Sequence, residues 1–391
     1  MTRTILLISR CPPYPLHFGD RLIIWHLARI LSERGYTLDL LALTQQATDA
    51  DDIAQYSHFF RDIHLFPEVQ RTQLMYLKRL LGEHHPYHRE AAWQTDLWDA
   101  IADTLRHHTY DVVHLFGGVH VYEFSHLLRD QSTVITPYES YSLYLKRALA
   151  QSFEGRTWLN RQITRQFERW MFSPYDRTVV LTEYDQAELL DINPKLAIDV
   201  IPNGIDLSNF QALEIKRDAA TILFVGNYDY PPNHDAALLL AQTIFPQILE
   251  AIPDAKLLLV GNAPSTEMLK LASDSIIVTG RVNRVQDYLA SATVFVCPLR
   301  VGAGIKNKVL EALAMGIPTV ATPLSMEGIV AIDRTHALIA PIDTIADVTI
   351  NLIHDVGLQK HLSEQAPALI TERYSWDGVV TQYEALYEAI I

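Results

Sequence analysis

A short apolar run, a Pro/Gly-containing loop, a helix-spaced segment and a second apolar run open this chain, and the same order begins again halfway along it. Thr4–Ser9 is β-rich, a loop through Pro12, Pro13, Pro15 and Gly19 follows, Leu22–Ser32 has helical spacing, and Tyr36–Leu43 comes after Gly35. Strand, loop, helix, strand is the pattern of a βαβ unit, since parallel strands need a crossover long enough to hold a helix. Val112–Phe116, Thr133–Thr136 and Thr178–Leu181 read as further strands, with a helix at Glu183–Asp191. The expected product is a doubly wound α/β domain. Ile201-Pro202-Asn203-Gly204-Ile205-Asp206 then breaks both periodicities with turn residues. Beyond it strands are expected at Ile222–Val225, Lys256–Val260, Ile276–Thr279, Val294–Cys297 and Pro318–Ala321. Two Rossmann-like domains joined near residues 203–212 result. The final segment, Trp376–Ile391, is amphipathic through Val379, Tyr383, Leu386 and Ala389, and fits either domain.

Composition limits the function. At 391 residues, 49% hydrophobic and 20% charged, the chain is globular and long enough for two domains. Runs such as Ile5–Ile8 and Thr293–Cys297 fall far short of the roughly 18 apolar residues that cross a bilayer. Arg10 and a Pro cluster directly after the first run make it a strand rather than a signal peptide. The two cysteines, Cys11 and Cys297, allow neither a disulfide framework nor a four-thiolate zinc site, so a cytoplasmic protein is expected. A net charge of −14 excludes a general nucleic-acid binder.

Half of the 16 glycines fall in one stretch, from Gly204 through Gly226, Gly261, Gly280, Gly302, Gly304 and Gly316 to Gly328, nearly all at strand ends or strand-to-helix turns. Ligands of open α/β sheets bind at such ends, where glycine lets the backbone approach them. The densest part runs from Pro298 to Gly316: a strand end, a Gly-rich turn, and a helix starting near Ile305. Arg300, Lys306 and Lys308 crowd that helix N-terminus. Cations there oppose the helix dipole unless an anion such as phosphate lies between them, the alternative being a solvated basic turn. Glu311, one turn on, is placed to accept hydrogen bonds from a sugar or ribose. The stretch is not a P-loop.

These residues, with Phe224-Val225-Gly226-Asn227, Pro232-Asn233-His234-Asp235-Ala236, Gly280-Arg281-Val282 and the Ile201–Asp206 linker, resemble the GT4-type retaining glycosyltransferases of GT-B fold. The loop from Pro12 to Arg21 is similar to that of a subgroup linked to bacterial exopolysaccharide and exosortase systems. The resemblance implies two Rossmann-like domains facing across a cleft. The acceptor side is 1–205 with the returning C-terminal helix 374–391, and the donor side is 206–373. It implies a hexosyl transfer from a UDP- or GDP-sugar to a saccharide, lipid-linked or small-molecule acceptor, without metal or other cofactor, the leaving phosphate helping to deprotonate the acceptor. Other GT-B outcomes are a nucleotide-sugar 2-epimerase and a non-catalytic nucleotide- or glycan-binding relative. By position, Glu311 matches the second Glu of the family's paired-Glu motif and would bind the donor ribose; the first Glu position holds Ala303. Asn227 stands where many members have a phosphate-binding Arg, leaving Arg300, Lys306 and Lys308 as substitutes. The main chain around Arg281 and Val282 would meet the base, and Gly226, Gly261, Gly304 and Ile305 complete the donor side.

In the first half, Gly19 would let the backbone approach the diphosphate. His114 and Glu139 are expected at strand ends facing the cleft, as catalytic groups beside Arg300 and Lys306. A lone strand-end His is more often a structural hydrogen-bonder. Pro86 interrupts any helix aligning His84 with His88, and Asp49-Ala50-Asp51 sits in a polar loop, so neither reads as a metal site. Between Lys146 and Arg177, Trp158, Ile163, Phe167, Trp170 and Met171 interleave with Arg156, Arg161, Arg165 and Arg169. Such a stripe either lies peripherally in the headgroup layer of an anionic membrane or packs into its own domain with solvated arginines.

Overall fold

The computed structural model describes residues 3–16, 19–211 and 220–391. The chain forms two compact units, Met1–Pro202 with Val379–Ile391, and Asn203–Gly378. The far end of the expected 203–212 linker, residue 212, lies outside the described residues.

The first unit holds a seven-stranded parallel sheet. Its strands are β1 (Thr4–Ser9), β2 (Thr37–Thr44), β3 (Asp62–Pro67), β4 (Val112–Phe116), β5 (Thr133–Tyr138), β6 (Arg177–Val180) and β7 (Ile198–Val200). Their order is β3-β2-β1-β4-β5-β6-β7, so the winding reverses between β1 and β4. Every residue of β1 after Thr4 and all of β4 are buried, as expected of central parallel strands covered on both faces. On one face Leu6, Ile8, Val113, Leu115 and Ile135 pack with Trp98, Ile101, Phe167 and Met171 from flanking helices.

The opposite face is closed by the last helix, Trp376–Glu388. Val379, Val380, Tyr383, Leu386 and Tyr387 are buried at spacings of three, four and seven, which is one helical stripe. An Arg34–Glu384 ion pair and a 2.5 Å Arg3–Glu388 pair hold its outer side. Of the two domains that this helix fits by sequence, it completes the first.

The second unit is a six-stranded parallel sheet of β8 (Thr221–Val225), β9 (Lys256–Val260), β10 (Ile276–Gly280), β11 (Val294–Cys297), β12 (Thr319–Ala321) and β13 (Leu338–Ile339). The order β10-β9-β8-β11-β12-β13 reverses between β8 and β11. Two chain segments lead from this unit toward the other, and they run side by side. Ile205 bridges Ser375, and its N–H donates to the Tyr374 carbonyl at 2.6 Å. The Trp376 ring presses so closely on Gly204 that a Cβ there would lie 2.5 Å from it, so glycine is required.

Candidate functional site

Crevices at the carboxyl ends of strands, where winding reverses, are the ligand sites of open α/β sheets. In the second unit that crevice lies past β8 and β11, and glycine lines it. Gly226 N–H donates to Val260 at 3.0 Å, and Gly261 N–H to Gly280 at 3.3 Å, tying three adjacent strand ends together. Gly261 has φ +146°, and a Cβ there would stand 1.8 Å from the Gly226 carbonyl oxygen. Arg281 and Val282 follow β10, the first exposed and the second half-buried.

After β11 the chain turns through Arg300–Ile305 into the helix Asn307–Ala314, whose N-cap position, Lys306, supplies no side-chain cap. The first-turn N–H groups and the helix dipole thus face the turn without a side-chain acceptor. Lys308 lies over the Phe224 ring at 4.8 Å and donates to Asn233 Oδ1. Asn233 Nδ2 donates in turn to the Asn227 carbonyl at 2.8 Å. Burial pushes Lys308 down to about 8, against the pull of Cys297 and Glu311. Burial pushes Glu311 up to about 7, against the pull of Lys308. Among the described residues no side chain or N–H hydrogen-bonds the Glu311 carboxylate, which is half-buried one turn into the helix. A desolvated carboxylate without donors is costly, and a hydroxylated ligand would supply them.

Two of the expected cations are engaged elsewhere. Arg300 forks onto Asp235 at 2.8 and 2.5 Å at the surface, so its charge is already matched. Lys306 folds back onto its own loop, donating to the Ala303 carbonyl at 3.0 Å and to the Gly304 carbonyl, with its side chain buried. Lys308 is tied through Asn233 to the Asn227 carbonyl beside Gly226, and it acts on Glu311 electrostatically, while Gly304 and Ile305 lie in the turn that leads into the same helix. Asn233 and Asp235 were not singled out by sequence reasoning as site residues; their pairing with Lys308 and Arg300 spans 75 and 65 residues and leaves no local signal.

In the first unit the crevice lies past β1 and β4. Gly19 is exposed at the start of the helix Gly19–Glu33, and residues 17–18 before it lie outside the described residues. Asp20, next to it, receives Arg10 at 3.0 and 2.7 Å. Glu139 follows β5 directly and is half-buried, preceded by Tyr138 at φ +73°. The adjacent backbone is fixed from below: Asp185 accepts from Ser140 N–H at 2.9 Å, and Glu168 from Ser140 Oγ at 3.2 Å.

His114 does not face a ligand edge. It is fully buried in the middle of β4, with Nδ1 2.7 Å from the Tyr387 hydroxyl and Nε2 2.8 Å from Thr136 Oγ1. Strand alternation turns it under the C-terminal helix, and burial holds the ring well below its usual pKa. It is a core hydrogen-bonder.

The remaining sequence signals are structural too. His84 stacks on Trp170 at 4.3 Å, and both His85 nitrogens are used, by Ser125 and by the Trp170 carbonyl. Asp49 pairs with Arg21 at 2.8 Å in the interior. The basic stripe packs inward: Phe167 and Met171 are core, and Lys146, Arg161 and Arg165 converge on the buried Glu188 at 2.7, 3.0 and 3.0 Å. Only the start of the helix Gly155–Met171 keeps exposed apolar surface, at Trp158 and Leu159 beside Phe153.

The model of the family described as "Glycosyl transferases group 1" matches residues 219–355, and that of "Glycosyltransferase Family 4" matches residues 22–209. The two matches together span both units, and the chain belongs with the group 1, family 4 glycosyltransferases. Among curated relatives of this glycosyltransferase is the phosphatidyl-myo-inositol mannosyltransferase of Mycolicibacterium smegmatis, 28% identical over 49% of this chain and 51% of that protein. The match thus spans about half the length of that relative. Among solved structures, sucrose-phosphate synthase from Thermosynechococcus elongatus superposes with a TM-score of 0.74 at 17% identity, over 99% of this chain and 98% of that one. Anabaena Alr3699/HepE in complex with UDP and glucose gives 0.68 at 12%, over 98% and 99%. These likenesses give the glycosyltransferase its fold, GT-B.

Proposed function

We propose that the chain transfers a hexosyl group, with retention and without a metal, from a UDP- or GDP-sugar to a saccharide or lipid-linked acceptor. The observation that carries this reading is the donor-less Glu311 carboxylate beside Lys308, at the crevice where three glycine-lined strand ends meet. Glu311 accepts from the ribose hydroxyls. Lys308 and the first turn of the helix Asn307–Ala314 take the diphosphate, whose negative charge grows as its bond to the anomeric carbon breaks. The Anabaena structure, solved with UDP and glucose, supports a nucleotide-sugar donor of this class.

Release of nucleoside diphosphate from a panel of UDP-, GDP- and ADP-sugars, with saccharide and lipid acceptors, tests it. Release that depends on acceptor is expected. Binding without release would make the chain a non-catalytic relative, and conversion of the donor sugar alone would make it an epimerase. No helix among the described residues is long and apolar enough to cross a membrane. Peripheral contact with an anionic membrane would rest on Phe153, Arg156, Trp158 and Leu159. Salt-sensitive co-sedimentation with anionic but not neutral vesicles checks it, and its loss in Trp158→Ser would locate it.

A further inference from the structure

Away from its crevice, the first unit carries a cavity of about 590 Å³. Its lining comes from residues 83–87, after the helix Gln73–Leu81, from residues 125–129 ahead of β5, and from Pro174 ahead of β6. Arg129 and Pro174 lie shortly before the first residues of β5 and β6, so the cavity is on the side of their amino ends. The crevice is at the carboxyl ends, and the length of β5, roughly 20 Å, lies between the two.

Two stacked ring pairs flank the cavity. His84 lies on Trp170 at 4.3 Å, with the planes 1° apart, and Tyr87 lies on His126 at 3.8 Å. Tyr87 is 70% exposed, yet it is held: His126 backs its ring, and the Glu83 carboxylate accepts its N–H at 2.7 Å. A large ring fixed in place and open to solvent is ready for a stacking contact. Ser125 Oγ meets His85 Nδ1 at 3.1 Å on the more buried wall. Among the described residues nothing hydrogen-bonds either nitrogen of His126, and His84 uses only Nε2, 3.3 Å from the Leu80 carbonyl.

This lining selects its ligand. Burial pushes His85 down to about 4, against the pull of the Trp170 carbonyl, so that ring is neutral near pH 7. Arg129 already meets Asp130 at 3.5 Å. No excess of positive charge remains to hold a phosphate, and Glu83, already hydrogen-bonded, is a weak draw for a cation. A wholly apolar ligand would leave the free His84 and His126 nitrogens dry and unpaired. A neutral ring with flat C–H faces and a rim of hydroxyls meets every condition, and that is a pyranose. The volume lies within the ~300–1,000 Å³ usual for small-ligand sites.

We propose that this cavity is a second sugar site, separate from the crevice, which holds neutral pyranose units of a glycan chain. A sugar face stacks on Tyr87, and hydroxyls pair with His126, His84 and Arg129. That the glycan is this enzyme's own acceptor rests on the transferase reading; the binding itself does not. An acceptor long enough to reach both places is kept at high local concentration beside the crevice, whereas a single sugar gains nothing.

The test titrates the full chain, without donor, with neutral tetrasaccharides of glucose, mannose, galactose and N-acetylglucosamine. At least one should bind. Tyr87→Ala and His126→Ala should each weaken it by about 10-fold or more, with the thermal midpoint of Tyr87→Ala unchanged because the ring is exposed. Tyr87→Trp, which keeps a ring face, should retain binding, and so should Lys308→Ala. With a donor that turns over, Tyr87→Ala should raise KM for long acceptors by the same factor and leave kcat, and all kinetics on monosaccharide acceptors, unchanged. No binding of any tetrasaccharide, or binding that both Tyr87→Ala and His126→Ala leave intact, overturns the assignment. Inorganic phosphate binding that His126→Ala abolishes would make this an anion site and overturns it equally. Lack of nucleoside diphosphate release counts against the transferase reading alone, since the titrations contain no donor.

Discussion

Glu311 and Lys308 are one turn of helix apart or less, and burial moves them in opposite directions, to about 7 and about 8. On the proposed donor site, nucleotide binding needs the carboxylate ionised to accept from ribose and the ammonium charged to meet phosphate. UDP or GDP affinity should therefore rise with pH through about 7 and fall again above about 8, with both limbs belonging to the pair. Isothermal titration across pH 6–9 reads this profile, and Glu311→Gln should abolish its acid limb at a cost of about 1.5–3 kcal/mol in affinity at pH 7.5. Arg300 sets the contrast. Its charge is matched by Asp235, so Arg300→Ala should lower turnover far less than Lys308→Ala, for which a loss of about 10²–10³ is expected. Sequence displayed Arg300, Lys306 and Lys308 as equivalent cations. What distinguishes them is a partner 65 residues away for the first, its own loop carbonyls for the second and the Phe224 face for the third. His114 carries the same lesson: whether it sees solvent depends on alternation in β4 and on a helix that arrives more than 250 residues later.

At the level of strands and helices, the buried apolar runs were legible because central parallel strands are continuous hydrophobic stretches. β3, β7 and β13 were not. β3 and β13 are edge strands, β7 is both an edge and three residues long, and their mixed exposure leaves no apolar run to read. The glycine-lined ends were legible as glycines, but the reason for one of them is spatial. Gly261→Ala would drive a methyl into the Gly226 carbonyl at a backbone angle that side chains avoid. It should destabilise the second unit by about 2–4 kcal/mol, visible as a lower midpoint in urea for the transition of that unit. The arginine stripe of the helix Gly155–Met171 shows charge being reassigned by packing. Three cations that look solvated in sequence surround one carboxylate, Glu188, which they hold below the usual range against its burial. Glu188→Ala would leave them facing each other. Thermal unfolding should then shift downward at low salt and recover partly at high salt, as repulsion is screened.

Across the whole molecule, the two units differ in how the chain supplies them. Asn203–Gly378 is one continuous stretch, whereas the first unit needs Val379–Ile391 to cover a face of its sheet. Tyr387 ties the two parts together through His114, so Tyr387→Phe leaves a buried imidazole nitrogen unpaired. The variant should lose about 1–3 kcal/mol in equilibrium unfolding while nucleotide affinity, which the proposed donor site puts in the other unit, stays unchanged. The same arrangement imposes an order on synthesis. A nascent chain emerges from the ribosome with β1 to β7 complete but one side of that sheet bare, its Tyr383 and Tyr387 cover still more than 170 residues from being made. The second unit has all its parts in hand first. Chains stalled shortly before residue 379 should therefore show a protease-resistant second unit and a first unit still open to cleavage, and release of the last segment should close it.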